Sequence, residues 1–146
     1  IIQAGIMSDI SLKSVWVKKG LRHLDEAVEK AQGEEKIYLK ILRGIGMSYL
    51  PPFFKRFATA LKDLEEVYQQ AYLTRPEVFQ GDRGAVLFFH LGKLYKLNDQ
   101  SEKAKEFYSE CAKKFPESRY AKKVLIFSFI IEGLKSCFIN SIPKTI

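Results

Sequence analysis

The 34 residues Ala85–Ser118 read AVLFFHLGKLYKLNDQSEKAKEFYSECAKKFPES, and their spacing constrains the fold more than any other part of the chain. Phe88, Leu91 and Tyr95 recur at three- and four-residue steps, the period of one helix face, while Val86, Phe89, Lys93 and Lys96 fall on another. Gly92 sits on the apolar stripe, where the lack of a side chain lets a neighbouring helix come close, at a cost of about 1 kcal/mol in helix propensity. Asn98-Asp99-Gln100-Ser101 supplies turn and cap residues, and Ala104, Tyr108 and Cys111 then form the packing stripe of a second helix. Pro116 ends that helix or opens the next. The segment therefore predicts two antiparallel helices joined by a short turn.

An echo lies upstream. Ile45-Gly46-Met47-Ser48-Tyr49 repeats the spacing of Leu91-Gly92-Lys93-Leu94-Tyr95, and Ala60, Leu64 and Val67 repeat Ala104, Tyr108 and Cys111. On this alignment the upstream unit is two residues longer, and the extra length falls at Pro51-Pro52-Phe53-Phe54. Two prolines cannot continue the preceding helix, so they extend the turn. Phe53 and Phe54 read as a cap over the core, or as an aromatic contact for a partner. Leu73–Asp82 is a second long connection, of the kind that projects on one face of a repeat array. Before the echo, Ser11 to Gln32 is amphipathic, with Ser8 and Asp9 as cap candidates and Gly33 as its stop.

The last helix is expected over Tyr120 to Ile139, and its run Val124-Leu125-Ile126-Phe127-Ser128-Phe129-Ile130-Ile131 is apolar all round. A terminal helix should show a polar outer face, so Val124, Phe127, Ile130 and Ile131 are candidates for a homo-oligomer or partner interface, with burial under the tail as the alternative. The run is too short for a membrane span, and Glu132 and Lys135 interrupt it. Peripheral membrane contact is disfavoured.

The formal net charge is +7, of which +4 comes from residues 101–146. Lys113, Lys114, Arg119, Lys122 and Lys123 form a basic edge suited to anionic partners, or a solvated face with Glu110 and Glu117 among them. A DNA-reading helix is disfavoured, since helix length and small-residue positions fit repeat packing better than groove reading. His23 and His90 stand far apart, with no carboxylate or cysteine at metal-ligand spacing, so neither a metal site nor a cofactor is expected. Gly44-Ile45-Gly46 lies in a helical pattern and is not a phosphate loop. No nucleophile stands beside a base, and no enzymatic activity is expected. Cys111 reads as a packing thiol, and Cys137 is isolated from it in sequence. The two cysteines lean toward a reducing, cytoplasmic compartment. The chain starts at Ile1 rather than at methionine, as a fragment or processed chain would.

Residues 85–118 resemble a tetratricopeptide repeat, with Phe88 in place of the tryptophan and Tyr108 in place of the phenylalanine. Residues 34–73 resemble a divergent repeat, 1–33 an N-terminal partial repeat and 119–146 a capping helix. The resemblance implies one all-α domain, an antiparallel helix-pair solenoid of about five to six helices. It also implies a non-catalytic scaffold binding a peptide or helix of a partner protein in a groove lined by first helices. Carried over by position, the groove residues are Val86, Phe89, Lys93 and Lys96, with Lys40, Arg43, Met47 and Leu50 upstream. Four of these eight are basic, which implies a preference for acidic segments. The alternative is a self-associating assembly unit joined through the apolar C-terminal helix.

Overall fold

The computed structural model describes residues 10–126. Its regular structure is helical, with no strand among the described residues. The α-helices are α1 (Ile10–Lys30), α2 (Gly33–Met47), α3 (Phe57–Val67), α4 (Asp82–Leu97), α5 (Ser101–Lys114) and α6 (119–126). No described helix is long and apolar enough to cross a membrane. The chain packs as two compact units that divide between Val67 and Tyr68.

In the first unit α2 packs against α1 and α3. Leu21 and Val28 of α1 and Ala31 just past its end are buried at helical spacing, as are Ala60, Leu64 and Val67 of α3. Gly33 adopts φ +54°, the left-handed conformation that lets the chain reverse from α1 into α2 without a side-chain clash. Gly44 provides the close approach of α2 to α3: a Cβ there would lie 2.6 Å from the Leu64 side chain and 3.2 Å from the Ala60 carbonyl oxygen. Gly46, the glycine that the sequence echo pairs with Gly92, would meet nothing there. The register of the echo is therefore corrected by two residues. Gly92 to Tyr108 spans sixteen positions and Gly44 to Leu64 spans twenty, so the insertion is four residues, the length of Pro51-Pro52-Phe53-Phe54. The turn after Pro51 is a 3-10 helix over Pro52–Phe54, in which Phe53 is exposed and Phe54 half-buried, with ring centroids 4.4 Å apart.

In the second unit α4 packs against α5. A Cβ on Gly92 would lie 2.6 Å from the Tyr108 ring, the close approach expected from the sequence. Phe88 is the centre of an aromatic cluster, with the rings of Tyr72 at 4.9 Å, Phe115 at 5.6 Å, and Tyr68 and Phe107 at 5.7 Å. The rings meet edge to face or tilted, the arrangement their quadrupoles favour. The helical run past α3 continues as a π-turn over Tyr68–Tyr72 and delivers both tyrosines to this cluster. The connection from Leu73 to Asp82 does not wholly project, because Phe79 is buried with its ring 5.7 Å from Tyr72. Between α4 and α5, Asp99 takes φ +59° and the Asn98 amide donates to the Leu94 carbonyl at 2.8 Å, closing α4. Gln100 stands at the cap of α5 with no side-chain cap bond, and Ser101 is already inside the helix. Ser118 opens α6: its hydroxyl accepts from the Tyr120 amide at 3.1 Å and donates to Asp82 Oδ1 at 2.6 Å.

Candidate functional site

The two-residue correction decides which side of α2 is open. Two residues rotate a helical position by about 200°, so a groove residue placed on the wrong glycine lands on the packed face. Met47 is fully buried. Arg43 is drawn into an ion-pair network: Nε and Nη2 donate to Asp63 Oδ2 and Oδ1 at 2.6 and 2.8 Å, and Nη1 donates to Asp25 Oδ1 at 3.0 Å. The hydrogen bond to Asp63 is the main reason that the Arg43 guanidinium holds its proton even more firmly than usual. Arg56 pairs with the other oxygen of Asp25 at 3.0 Å. The Lys40 ammonium donates to Glu66 and, with Lys62 and Lys36 adding attraction, holds that carboxyl below the usual carboxylate range. Lys40 and Arg43 thus tie α2 to α3 and, through Asp25, to α1, Met47 is in the core, and Leu50 is half-buried in the turn.

What α2 presents outward is apolar. Tyr38 is 62% exposed, Leu42 46% and Tyr49, in the turn just past the helix, 63%, with Ile41 and Ile45 half-exposed. These residues recur at steps of three and four, so they form one stripe. On the corrected register Tyr38, Ile41 and Ile45 match Val86, Phe89 and Lys93. The signal for them in the sequence is Gly44, the first glycine of Gly44-Ile45-Gly46, which offers an alternative register.

In the second unit Val86 is half-buried and Lys96 exposed. Phe89 is covered, with the Tyr120 ring at 5.5 Å and the Tyr108 ring at 6.0 Å, so it is a packing residue between α4, α5 and α6. Lys93 is half-buried, and burial lowers its pKa. His90 is buried beside Phe89 and Tyr120, and burial, with repulsion from Lys93 and Lys123, depresses its pKa to about 4. His23 lies on the surface, 3.8 Å from Glu26. No group of three or more metal-ligating side chains gathers among the described residues.

The basic edge is partly neutralised. Lys113 and Lys114 reach Glu110 at 3.8 and 3.6 Å, and Arg119 reaches Asp82 at 3.7 Å. Lys122 and Lys123 are exposed on α6, with the Lys123 ammonium 5.5 Å from the Tyr120 ring centroid. Of the expected interface residues Val124 is buried within the unit, while its neighbours Leu125 and Ile126 are 49% and 59% exposed. Phe127, Ile130 and Ile131, the cap candidates Ser8 and Asp9, and Cys137 lie outside the described residues. Comparison with protein families, with curated proteins and with solved structures finds no match to this chain.

Proposed function

We propose that this chain is a helical-repeat scaffold of the tetratricopeptide kind, binding a segment of a partner protein on the outward face of a first helix, α2 in the first unit or α4 in the second. The observation that carries the reading is the open stripe Tyr38-Leu42-Ile45-Tyr49 on α2, opposite the face that Gly44 seats against Leu64. Large apolar side chains held in water along one helix face are ordinary for an interaction surface. Support for the repeat kinship comes from the two helix pairs, each built on a glycine in the first helix against a large side chain of the second. The preference for acidic segments now rests on α4, through the exposed Lys96, because Lys40 and Arg43 are paired within the chain.

Selection of a displayed random-peptide library on the intact chain tests the proposal. The enriched sequences should lose binding to the Tyr38→Ser, Leu42→Ser double variant or to the Lys93→Glu, Lys96→Glu double variant. Enriched peptides indifferent to both, or no enrichment at all, would reject the scaffold reading.

A further inference from the structure

The insertion that lengthens the turn between α2 and α3 builds one wall of a cleft. Three residues suffice to join α4 to α5, so Pro51-Pro52-Phe53-Phe54 is more chain than such a connection requires. The cleft has a volume of about 320 Å³ and lies within the first unit. On one side α1 contributes Ser14, Lys18 and Leu21, at steps of four and three, and on the other the turn contributes Phe53, Phe54 and Arg56. Leu21 is 2% exposed and forms the floor, while Phe53, 68% exposed, forms the rim with its ring 4.4 Å from that of Phe54. Lys55 takes φ +53° and is exposed, while the residues on either side of it line the cleft. No residue of the α2 stripe takes part.

The charge of the cleft is of one sign. No acidic side chain lines it, and residues 10–22 and 48–62, which supply its lining, hold seven basic residues and no acidic one. The Lys18 ammonium has no partner among the described residues. Arg56 gives Nη1 to Asp25 Oδ2 at 3.0 Å, and Asp25 divides its single charge between Arg56 and Arg43. We infer that the cleft binds a small aromatic carboxylate, with its ring against Phe53 and Phe54 over Leu21 and its carboxylate between Lys18 and Arg56. The Nε and Nη2 of Arg56, which Asp25 leaves open, form the side-on edge that takes both oxygens of one carboxylate, and Lys18 adds a point charge. The two phenyl rings and the leucine offer a flat ring apolar area to cover. A nucleotide is a poorer fit, because base edges carry donors and acceptors that lose water on binding. The one neutral polar side chain in the lining is Ser14, whose hydroxyl already donates to the Ser11 carbonyl at 2.8 Å. A volume at the lower end of ligand sites, which run from about 300 to 1,000 Å³, admits a one- or two-ring acid and little more.

The probe is para-fluorophenylacetate, and para-fluorophenylacetamide, the same ring without the charge, is its control. Fluorine NMR titration of each with the intact chain, at about 0.15 M salt where distant charges are screened, reads both affinities. The acid should bind with a dissociation constant of about 1 mM or tighter and the amide at least about tenfold more weakly. Lys18→Gln should weaken the acid by about fivefold or more and leave the amide unchanged, and Lys18→Arg should restore it. Phe53→Ser should weaken both ligands while the melting temperature stays the same, because the ring it removes is exposed. Failure of the acid to bind in this range overturns the inference, as does equal affinity for acid and amide. Binding of the acid that neither Lys18→Gln nor Phe53→Ser moves also overturns it, since the ligand would then sit elsewhere on the basic surface. Adenosine monophosphate that binds more tightly than the acid, with the same dependence on Lys18 and Phe53, would make the occupant a nucleotide instead. A fall in melting temperature in Phe53→Ser would mean that the chain itself covers the ring, and the cleft would not be open to a ligand. The library selection against α2 and α4 reads neither Lys18 nor Phe53, so this site and the scaffold reading fail separately.

Discussion

Arg43 grips Asp63 through two parallel hydrogen bonds, at 2.6 and 2.8 Å, while the Asp63 side chain is only 4% exposed. This is the strong, fork-shaped form of an ion pair, and it joins the C-terminal part of α2 to the middle of α3. The remaining guanidinium nitrogen reaches Asp25 of α1, so one side chain closes the three-helix unit.

Cutting that grip should cost more than an ordinary surface pair. Arg43→Ala leaves the Asp63 carboxylate buried and unpaired, and an uncompensated buried charge costs about 3–5 kcal/mol. Arg43→Lys should recover only part of this, since an ammonium cannot make both bonds at once. Replacing the pair by Arg43→Met with Asp63→Leu should be milder than Arg43→Ala alone. Urea unfolding of the four proteins orders them, and a double variant less stable than Arg43→Ala would contradict the account.

The glycines of the two pairs make predictions of opposite sign. Gly44→Ala drives a methyl group to 2.6 Å from Leu64 and 3.2 Å from a backbone oxygen, and Gly92→Ala drives one to 2.6 Å from the Tyr108 ring. Each should destabilise by about 1–3 kcal/mol through overpacking, Gly44→Ala the more because backbone yields less than a ring. Gly46→Ala meets no neighbour and should stabilise by about 0.5–1 kcal/mol. Thermal melts of the three variants decide the register, and a destabilised Gly46→Ala would restore the alignment that pairs Gly46 with Gly92.

The contrast between those glycines shows how far the sequence carries. The helix pair α4–α5 is legible because Gly92, Ala104, Tyr108 and Cys111 fall on one period and a turn separates them. In the upstream pair two glycines stand two residues apart, and Gly46-x-x-Tyr49 copies the local spacing of Gly92-x-x-Tyr95. Local spacing cannot say which glycine meets α3; only the packing of Leu64 does. That choice turned Lys40, Arg43 and Met47 outward in the sequence reading and concealed the stripe that is open. Asp63, placed between Ala60 and Leu64 on the buried side of α3, was the available sign that a basic residue of α2 is spoken for. Phe107 and Phe115 lie on the same helical period as Ala104, Tyr108 and Cys111, but their part in the aromatic cluster emerges only when Tyr68 and Tyr72 join them.

His90 gives the second unit a pH dependence. Its side chain is buried, and its pKa of about 4 lies below the ordinary 6.5 because burial disfavours the charged ring. The unfolded chain therefore takes up a proton that the folded chain refuses. The contribution of the neutral ring is complete above pH 6.5 and is lost as the pH falls toward 4, a change of about 3 kcal/mol over that window. Glu66 acts lower: its carboxyl is depressed below 4.5, chiefly by the bond from Lys40, so its contribution is present above 4.5 and fades only on further acidification. Urea midpoints should fall between pH 7 and pH 5 in the wild type and stay nearly level in His90→Gln. A level wild type would show that the ring is protonated in the fold.

Cys111 tests the seam between α4 and α5 by its chemistry. Its thiol is buried, donates to the Ala85 carbonyl at 3.5 Å, and is pushed up to about 11 by burial. Only the thiolate attacks a disulfide reagent, and at pH 8 a thiol of that pKa is ionised in about one molecule per thousand even before access is considered. In a Cys137→Ser background the folded protein should leave an aromatic disulfide reagent unreacted, and one equivalent should react once denaturant opens the unit. Between these limits the labelling rate should rise with urea as α5 separates from α4, and Gly92→Ala, which strains the same seam at Tyr108, should speed it at every urea concentration. Rapid labelling in the absence of denaturant would place the thiol at the surface and break the match between Cys111 and Val67 on which the pairing of the two units depends.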